Sequence, residues 1–572
     1  MDDLNLSTTM QKIAAQLLYT RTNPMTSEQT FEQSNDEVKT PLDNNLFPIV
    51  GIAASAGGLE AFIELLTYLP IDTGMAFVLI QHLAPDHKSL LTEILAKKTK
   101  MPVSEVVDGV MVEPNHVYII APNTKMILAQ GMLRLAPREK VGGKYMPGDA
   151  FFTSLAAEQG SKAIAVILSG GDGDGSLALT YIKAAGGVTF AQCEGTAKFD
   201  SMPNTAVATG NVDFILPPQK IAEELAELSI HPFIAPQPIA KLVKNSPQSQ
   251  EGMQLIFALL KSSTGVDFSQ YKLATIARRM QRRMLLYKIE KLEDYAQYLQ
   301  DNEAEVKALY AEILIHVTDF FRDPLAFQQL TAQGFPIITQ NKTVNSPIRV
   351  WVAGCSTGEE AYSIAICLLE FLGEKSLHLL IQIFATDISE TAIELARAGV
   401  YSDLQMVGVS PERRDRFFIK LESGGYRISK AVRELCVFAR QNLSSDPPFA
   451  NLDLISCRNV MIYLAESLQK QVLSTFHYSL NSKGILMLGS SESTGQYSQL
   501  FTIFDKKHRI YTKNLTETPP IFSFVTSKYP TAIEDNPKPT INNPADSFDL
   551  DKETDKLILN RYAPVGVVIL RG

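Results

Sequence analysis

Short apolar runs alternate with stretches of helical periodicity in two separate parts of the chain. In the first part, ordered patterning begins at Phe47, and apolar runs cover residues 76–80, 117–120, 163–168 and 188–191. In the second part they cover residues 348–352, 382–386, 452–456, 484–488 and 509–511. Alternating strand and helix signals are typical of a mainly parallel sheet covered by helices. The pattern therefore predicts the α/β class, with two doubly wound domains.

Between these parts the sequence is helical, and proline-rich polar segments separate the predicted domains. Residues 253–330 have helical periodicity, charged faces and few strand-like runs. Prolines accompanied by Ser, Gln and Lys mark two linkers. The predicted boundaries are a disordered tail (1–45), a first α/β domain (46–228), a linker (229–250), an all-helical subdomain (251–330), a second α/β domain (331–514), a second linker (515–550) and a final helix and strand (551–572).

The composition is that of an ordinary globular protein. Of the 572 residues, 45% are hydrophobic and 20% are charged, which excludes a wholly disordered or collagen-like chain. The net charge of −9 argues against nucleic acid as a partner. No apolar run reaches the roughly 18 residues of a membrane span, and the polar start is unlike a signal peptide. Five widely spaced cysteines without a CxxC pair predict reduced thiols in the cytosol and no zinc site.

A serine follows the first predicted strand at a turn built from small residues. Ser55 lies between Ala54 and Ala56, and two glycines precede a helical stretch that begins at Leu59. A nucleophilic serine on a strand-to-helix turn needs such neighbours, because the backbone is crowded and the hydroxyl must stand clear. The turn also offers backbone N–H groups that can bind an oxyanion. The same residues are compatible with a phosphate-binding loop or with simple close packing.

Two further strand ends carry groups that would complete a catalytic triad. His82 follows the second strand, and Asp174 lies in an Asp-Gly-rich turn after a later strand. A single histidine is more often structural, and Asp-Gly repeats usually form turns. The repeat is not an EF-hand calcium loop, because Leu177 and Lys183 stand where that loop needs Gly and Glu. In a triad, His82 would accept the proton of Ser55, and Asp174 would orient the imidazole.

Five motifs of this first part occur in the order typical of one known family. They cover residues 52–58, 81–82, 117–122, 168–175 and 199–203. Residues 46–228 thereby resemble the catalytic domain of the chemotaxis receptor protein-glutamate methylesterases. The resemblance implies that Ser55, His82 and Asp174 form the triad, that Met202 lies in a substrate-binding loop, and that the substrate is a glutamate γ-methyl ester of a receptor. Ala56 replaces the usual threonine. The preceding residues are too few for the family's receiver domain, so control by its phosphorylation is not expected.

A second Gly-rich turn and several polar side chains follow strands of the second predicted sheet. The first strand runs into a turn with Gly354, Gly358 and two glutamates, and the next strand ends at Asp387. Such a turn lets the backbone approach a cofactor, and an acid after the next strand can hold ribose hydroxyls. The missing GxGxxG fingerprint disfavours a dinucleotide. Asn442 and Asn459 suit an adenine edge, although each of these polar residues could equally cap a helix.

Residues 254–513 resemble the chemotaxis receptor glutamate O-methyltransferases. The motifs that carry this resemblance cover residues 316–323, 356–360, 385–387 and 457–463. It implies S-adenosylmethionine as the cofactor and the following cofactor-binding residues: His316, Thr318, Arg322, Glu360, Asp387, Asn442, Leu443, Asn459 and Val460. His316 stands where the family usually has Asn, which would weaken cofactor binding or make it titrate near neutral pH. We predict that Arg322 grips a carboxylate, either of the cofactor or of the substrate.

A basic helix is predicted ahead of this second site. Its buried stripe is formed by Ile276, Met280, Met284 and Tyr287. Three arginines project away from the stripe: Arg278, Arg279 and Arg282. They would either pair with acids on a solvated face or, as the resemblance implies, bind an acidic receptor substrate. In the second case charge complementarity would act mainly on the association rate.

Together the two resemblances predict a bifunctional signalling enzyme whose partner is a methyl-accepting receptor or another signalling protein. A glutamate carboxylate is already ionised at pH 7, so methyl transfer needs alignment rather than a strong base. The alternatives are a signalling scaffold whose sites bind ligands without turnover, and an enzyme with the same chemistry and a different acceptor. The last residues, 551–572, resemble the entry to a sensory PAS domain but are too few to fold as one. We expect a fragment, a truncated reading frame or a chain-terminal stub, and in the first case C-terminal sensory domains would be missing from this chain.

Overall fold

The computed structural model of the protein describes residues 47–81, 91–138, 145–231, 247–315, 317–340, 342–343, 345–403, 405–422, 424–495, 497 and 499–515. The predicted tail and the predicted final helix and strand lie outside the described residues, as do most of both predicted linkers. Residues 47–231 are called the first α/β module, residues 247–315 the helical module, and residues 317–515 the second α/β module.

A parallel sheet forms the centre of the first α/β module. The strands described there are β1 (Ile49–Ala54), β2 (Ala76–Gln81), β3 (Val103–Glu105), β4 (Val110–Met111), β5 (Val117–Ile119), β6 (Thr124–Ala129), β7 (Met132–Pro137), β8 (Ala163–Ile167), β9 (Val188–Gln192) and β10 (Phe214–Leu216). Seven of them form the sheet in the order β10-β9-β8-β1-β2-β5-β3, with all neighbours parallel. The remaining three form an antiparallel ribbon, β4-β7-β6. β1 is buried at every residue because helices cover both faces of the sheet.

Helices pack on both faces of this sheet. They are α1 (Gly58–Tyr68), α2 (Leu91–Ala96), α3 (Pro147–Gln159), α4 (Leu179–Ala185), α5 (Ser201–Ala208) and α6 (Pro218–Ile230). Phe62 of α1 and Leu225 of α6 belong to one apolar layer, whereas Phe152 of α3 and Ile182 of α4 belong to the layer on the other face. The sheet edge at the carboxyl ends of β1, β2 and β8 is thereby flanked by α1 and α3.

The helical module consists of α7 (Pro247–Thr264), α8 (Leu273–Leu286), α9 (Leu292–Asp301) and α10 (Glu303–Ile313). Asn302 separates the last two helices, and its side chain caps α10 by accepting from the backbone N–H of Glu305. Three of the four residues predicted for the apolar stripe of α8 are buried in the core of the module. The prediction is wrong for Tyr287, which is 42% exposed and contacts the ring of Tyr298 at a tilted angle of 46°.

The second α/β module contains a larger sheet with an antiparallel edge. Its strands are β11 (Ile348–Ala353), β12 (Ile381–Asp387), β13 (Val400–Tyr401), β14 (Phe418–Lys420), β15 (Tyr426–Ile428), β16 (Cys436–Arg440), β17 (Leu452–Cys457), β18 (Leu480–Leu488), β19 (Phe501–Asp505) and β20 (Ile510–Lys513). The order is β16-β12-β11-β17-β18-β20-β19, in which only β20 and β19 run antiparallel to their neighbours. A small antiparallel sheet, β13-β15-β14, lies apart from it.

The helices of this module begin with α11 (Pro324–Gln329), α12 (Phe335–Thr339) and α13 (Glu359–Leu372), followed by α14 (Glu390–Ala398), α15 (Pro411–Phe417), α16 (Lys430–Arg433) and α17 (Glu466–Ser479). α13 leaves the central strand β11 through a short turn and is buried along most of its length. The prediction of two doubly wound α/β sheets with a helical part between them is confirmed. The predicted linker at residues 229–250 is shorter than expected, because α6 runs to Ile230 and α7 begins at Pro247. In the described ranges no helix is long and apolar enough to cross a membrane.

Candidate functional site

Ser55 lies in the turn between β1 and α1, at the carboxyl edge of the first sheet. Its backbone N–H donates to the carbonyl of Ser169, 3.0 Å away, and its own carbonyl accepts from the N–H of Gly58 at 3.0 Å. The residue is half-buried, and Gly57, the N-cap of α1, has a φ of 74°, which a residue with a Cβ rarely adopts. The sharp strand-to-helix turn that the sequence predicts around this serine is therefore present.

The turn is packed so closely that its neighbours must be small. A Cβ on Gly170 would lie 3.1 Å from the Cβ of Ser55 and 2.4 Å from the sulfur of Met202. Met202 is 1% exposed, and its backbone N–H donates to the carbonyl of Gly170 at 3.0 Å. Met202 thus lies beside Ser55, in the first turn of α5 rather than in a loop, and its role in substrate binding remains a prediction.

Ser169 ties these segments together, and sequence reasoning did not single it out. Its hydroxyl donates to the carbonyl of Ala56 at 2.9 Å, and it accepts from the backbone N–H of Phe199 at 3.0 Å. The signal that the sequence offered was its position as the second residue of the motif 168–175, at the end of an apolar run. The hydroxyl joins the Ser55 turn to Phe199, in the segment that leads into α5 and Met202.

Asp174 is buried near the start of α3. Its two carboxylate oxygens accept from the backbone N–H groups of Gly148 (2.8 Å) and Asp149 (3.0 Å). Asp149, which the sequence did not reveal, in turn accepts from the N–H of Ala178 at 2.9 Å. Burial and the adjacent charge of Asp174 raise the pKa of Asp149 to about 7. Asp174 is thereby held in one orientation by backbone donors.

The predicted base, His82, lies outside the described residues, as does His316. β2 ends at Gln81, paired in register with Ala54 at the end of β1, and its side-chain amide donates to the carbonyl of Ser55 at 3.5 Å. Ser55 and Asp174 follow the neighbouring strands β1 and β8. In a parallel sheet the carboxyl ends of adjacent strands lie at one edge, which is where sites form in such folds. Their assembly into a triad remains a prediction.

A second constellation surrounds the turn between β11 and α13. Asp387, at the end of β12, accepts through one oxygen from the backbone N–H of Ser356 (2.9 Å) and through the other from Ser389 (2.9 Å). The carbonyl of Thr386 accepts from the N–H groups of Gly354 and Cys355. Asp387, which is predicted to hold the cofactor, therefore also fixes the conformation of the turn between β11 and α13.

All eight predicted cofactor residues within the described ranges line one cavity of about 440 Å³. They are Thr318, Arg322, Glu360, Asp387, Asn442, Leu443, Asn459 and Val460. Arg322 donates to the carbonyl of Val317 at 3.0 Å, and Glu360 accepts from the hydroxyl of Ser456 at 2.7 Å. Their direct contact with a cofactor remains a prediction.

Unpartnered polar atoms on the wall of this cavity indicate that it is built for a ligand. The hydroxyl of Ser356 and the side-chain oxygen of Asn459 are buried and have no hydrogen-bond partner among the described residues. Both residues hold a left-handed backbone, with φ values of 50° and 59°, which is a strained conformation that typically marks binding sites. A buried oxygen without a partner is costly, so a ligand that supplies N–H or O–H donors fits these positions.

Glu492 holds the Asn459 turn, and sequence reasoning missed it. Its buried carboxylate accepts from the backbone N–H groups of Asn459 and Val460, each at 2.9 Å, and of Gly489 at 2.7 Å. Burial raises the pKa of Glu492, although the backbone donors act in the opposite direction. No spacing rule links this residue to the Asn459 motif, because the two meet only through the pairing of β17 with β18.

The basic helix α8 does not present all its arginines to solvent. Arg279 and Arg282 are each 2% exposed, so the prediction that they face solvent is wrong. Arg279 donates to the carbonyl of Lys183 (2.7 Å), and Arg282 donates to the carbonyl of Gly187 (2.7 Å) and pairs with Asp213 and Glu312. Groups of the first α/β module, together with Glu312 of α10, thus occupy the arginine face that the sequence assigned to a substrate protein.

Arg278 is exposed, as predicted. Even so, its aliphatic stem approaches the first α/β module, where a Cβ on Gly186 would lie 3.2 Å from it. Of the three arginines proposed to bind a substrate, only Arg278 therefore remains accessible to a partner.

Three known protein families match successive parts of the chain. The family described as CheB methylesterase matches residues 50–225, the CheR methyltransferase all-alpha domain matches residues 251–314, and the CheR methyltransferase SAM binding domain matches residues 316–510. The cofactor of the second α/β module is thus S-adenosylmethionine, whose amine and hydroxyl donors suit the unpartnered oxygens of Ser356 and Asn459 and the carboxylate of Asp387.

Individual relatives cover one or both parts. A chemotaxis protein methyltransferase of Vibrio parahaemolyticus is 35% identical over 240 residues, which are 41% of this chain and 86% of that protein. An uncharacterised 104.1 kDa protein of Rhodobacter capsulatus is 35% identical over 469 residues, 78% of this chain and 49% of that protein, so the chain spans about half of its length. The crystal structure of the Thermotoga maritima CheB methylesterase catalytic domain is 30% identical, with a TM-score of 0.31, over 32% of this chain and 100% of that one.

The cavity, its strained turn and the edge of the first sheet thus lie within the parts matched by these families. The chain belongs to the CheR chemotaxis methyltransferases, and it carries a CheB methylesterase domain in the same polypeptide.

Proposed function

We propose that the chain attaches methyl groups to glutamate carboxylates of a signalling protein and also removes them by hydrolysis. The observation that carries the proposal is that eight predicted cofactor residues line one cavity. The same chain also holds Ser55 beside Met202 at the edge of a separate sheet. Two separate sites allow opposed reactions on one acceptor. The acceptor is a receptor or another signalling protein, and the five free cysteines support action in the cytosol.

Methyl transfer demands alignment more than acid–base chemistry. Bound S-adenosylmethionine supplies a methyl group on a sulfonium, and transfer to a carboxylate oxygen gives a methyl ester and S-adenosylhomocysteine. The acceptor carboxylate is already ionised near neutral pH. Arg322 is available to hold a carboxylate by its guanidinium, and its bond to the carbonyl of Val317 limits its rotation. Leu443 and Val460 contribute apolar wall that excludes water and strengthens attraction between opposite charges.

Hydrolysis of the ester would follow the serine-hydrolase scheme. The hydroxyl oxygen of Ser55 attacks the ester carbon, its proton passes to His82, and methanol leaves with that proton. Water then attacks the acyl-enzyme, which restores the Ser55 hydroxyl and the glutamate carboxylate. The two backbone donors on Asp174 support its role, because a carboxylate held in one orientation can hold the imidazole in one tautomer.

The two activities can be separated in one full-length protein. Methyl incorporation from labelled S-adenosylmethionine and methanol release are measured on a glutamate-rich helical peptide and on its γ-methyl ester, and S-adenosylhomocysteine binding is measured by calorimetry. Ser55→Ala should abolish methanol release without changing cofactor binding. Asp387→Asn should weaken binding about tenfold or more, since it disturbs two backbone bonds, without changing methanol release.

Exposed residues of the helical module provide matched controls. Ser262→Ala and Asp301→Asn should change neither activity, because both side chains are exposed and neither lines the cavity. Methanol release by Ser55→Ala at the wild-type rate would refute the hydrolytic half. Wild-type protein that binds no S-adenosylhomocysteine would refute the methyl-transfer half.

A further inference from the structure

The cavity of the second α/β module is closed on one side by the first α/β module. Six of its lining residues belong to α3 and α4: Thr153, Ala156, Ala157, Tyr181, Ala184 and Ala185. Four of the six are alanines, so this wall contributes little polar chemistry except through Tyr181 and Thr153. The cavity that contains the predicted cofactor residues is therefore lined by all three modules, which match two different enzyme families.

Buried polar contacts hold this wall against the helical module. Arg279 of α8 donates to the carbonyl of Lys183 and to that of Ala184, both in α4. Arg282 pairs with Asp213 of the first α/β module and with Glu312 of α10, and all three side chains are at most 4% exposed. Because buried ionic groups require well-defined partners, α4 is held in one position relative to the cavity.

Tyr181 reaches from this wall to a segment of the methyltransferase site. Its hydroxyl donates to a carboxylate oxygen of Asp319, 3.0 Å away. Burial raises the pKa of Tyr181, and the charge of Asp319 and the hydrogen bond to it act in the same direction. The hydroxyl therefore keeps its proton at physiological pH and remains a donor to Asp319.

Asp319 belongs to residues 317–323, the segment that carries Thr318 and Arg322. The C-terminal end of this segment is anchored within the second α/β module. There Arg458 donates to the carbonyl of Arg322 at 2.9 Å and to Asp323 at 2.5 Å. The bond from Tyr181 anchors the other half of the segment from a different module.

We propose that Tyr181 is a positioning residue of the methyltransferase site, through which the methylesterase domain completes the cofactor cavity. This inference rests on the proposed function. Tyr181 touches Asp319 rather than the reacting atoms, and it acts by holding the segment that places Thr318 and Arg322 against the cofactor. Cofactor affinity thus depends on a hydroxyl group in the domain that removes the methyl group by hydrolysis.

A double-mutant cycle on cofactor affinity tests this role. The dissociation constant of S-adenosylhomocysteine is measured by calorimetry for the full-length wild type, Tyr181→Phe, Asp319→Ala and the double variant. Loss of one hydrogen bond between a neutral donor and a charged acceptor should raise the constant about three- to tenfold. The double variant should bind about as weakly as either single variant, because both substitutions remove the same bond.

The controls separate this inference from the proposed function. Tyr68→Phe, at an exposed tyrosine of α1, should leave the dissociation constant unchanged. Methanol release should be unaffected by Tyr181→Phe, and a parallel loss of both activities would show a general folding effect and overturn the inference. An unchanged constant in Tyr181→Phe, or additive effects in the cycle, would overturn it alone. A wild type without binding would overturn the proposed methyl transfer as well.

Discussion

Replacement of Arg282 by methionine tests whether the methylesterase domain is docked on the helical module by charge. The guanidinium is 0% exposed and faces two carboxylates, Asp213 and Glu312, that are 4% and 3% exposed. Removal of one partner from a buried pair typically costs about 3–5 kcal/mol, because an uncompensated charge remains. Glu312 would retain Arg283 at 3.6 Å, and Asp213 would retain Lys183 at 4.0 Å. We therefore expect the lower end, about 3 kcal/mol.

Urea unfolding followed by two signals measures this loss. Circular dichroism reports the whole chain, whereas fluorescence of Trp351, the only tryptophan, reports the core of the second α/β module, where it packs against Phe449 and Phe476. A loss of about 3 kcal/mol corresponds to a midpoint lowered by roughly 1 M at a slope of about 3 kcal/mol per molar urea. The midpoint of the dichroism transition should fall by roughly 1 M or more. The dichroism signal is the informative one, because the contact lies between the first α/β module and the helical module, whereas Trp351 reports the second α/β module.

Two comparisons make the result decisive. Arg427→Met, at an exposed arginine, should stay within about 0.5 kcal/mol of the wild type. Neutralising the partners together with the arginine, in Arg282→Met/Asp213→Asn/Glu312→Gln, should recover part of the loss, because no buried charge is left alone. If Arg282→Met unfolds at the same midpoint as Arg427→Met, the buried ion pairs do not dock the domains and this reasoning fails.

Three other substitutions test the two sites. Gly354→Ala should weaken S-adenosylhomocysteine binding at least about tenfold in calorimetry, because its Cβ would lie 2.3 Å from a carbon of Val460; Gly373→Ala, also at positive φ but with open space around it, should leave binding unchanged. Ser169→Ala should lower methanol release about tenfold and leave S-adenosylhomocysteine binding unchanged. The backbone N–H of Phe199 would lose the hydroxyl that accepts its hydrogen bond and that joins its segment to the Ser55 turn. Burial raises the pKa of Asp149 from 3.8 to about 7, so the folded chain retains a proton that the unfolded chain releases. Its contribution to stability is present below pH 4 and is lost as the pH rises through 7; unfolding free energies of wild type and Asp149→Asn that change in parallel over this range would contradict this assignment.

The candidate sites were largely predictable because their first elements are local in sequence. Ser55 directly follows the buried strand β1 and Asp387 is the last residue of β12, and the carboxyl ends of parallel strands meet at one sheet edge. Eight residues that the family resemblance predicts to bind the cofactor line one cavity. The residues that support them were not predictable. Ser169, Asp149 and Glu492 accept hydrogen bonds from backbone N–H groups roughly 30 residues away in the sequence. The periodicity of a sequence does not show which distant segments come into contact.

By itself the sequence determined the two α/β sheets, the helices between them and the strand ends that carry chemistry, since alternating patterns and turn residues act over a few positions. Only the tertiary structure decided which groups pack against the polar face of α8. Periodicity shows that Arg279 and Arg282 lie off the apolar stripe. It does not show whether water or another part of the chain forms hydrogen bonds with their guanidinium groups, because either would give the same pattern. The partners of Arg282 lie 69 and 30 residues away, and folding brings them together by burying all three charges at once.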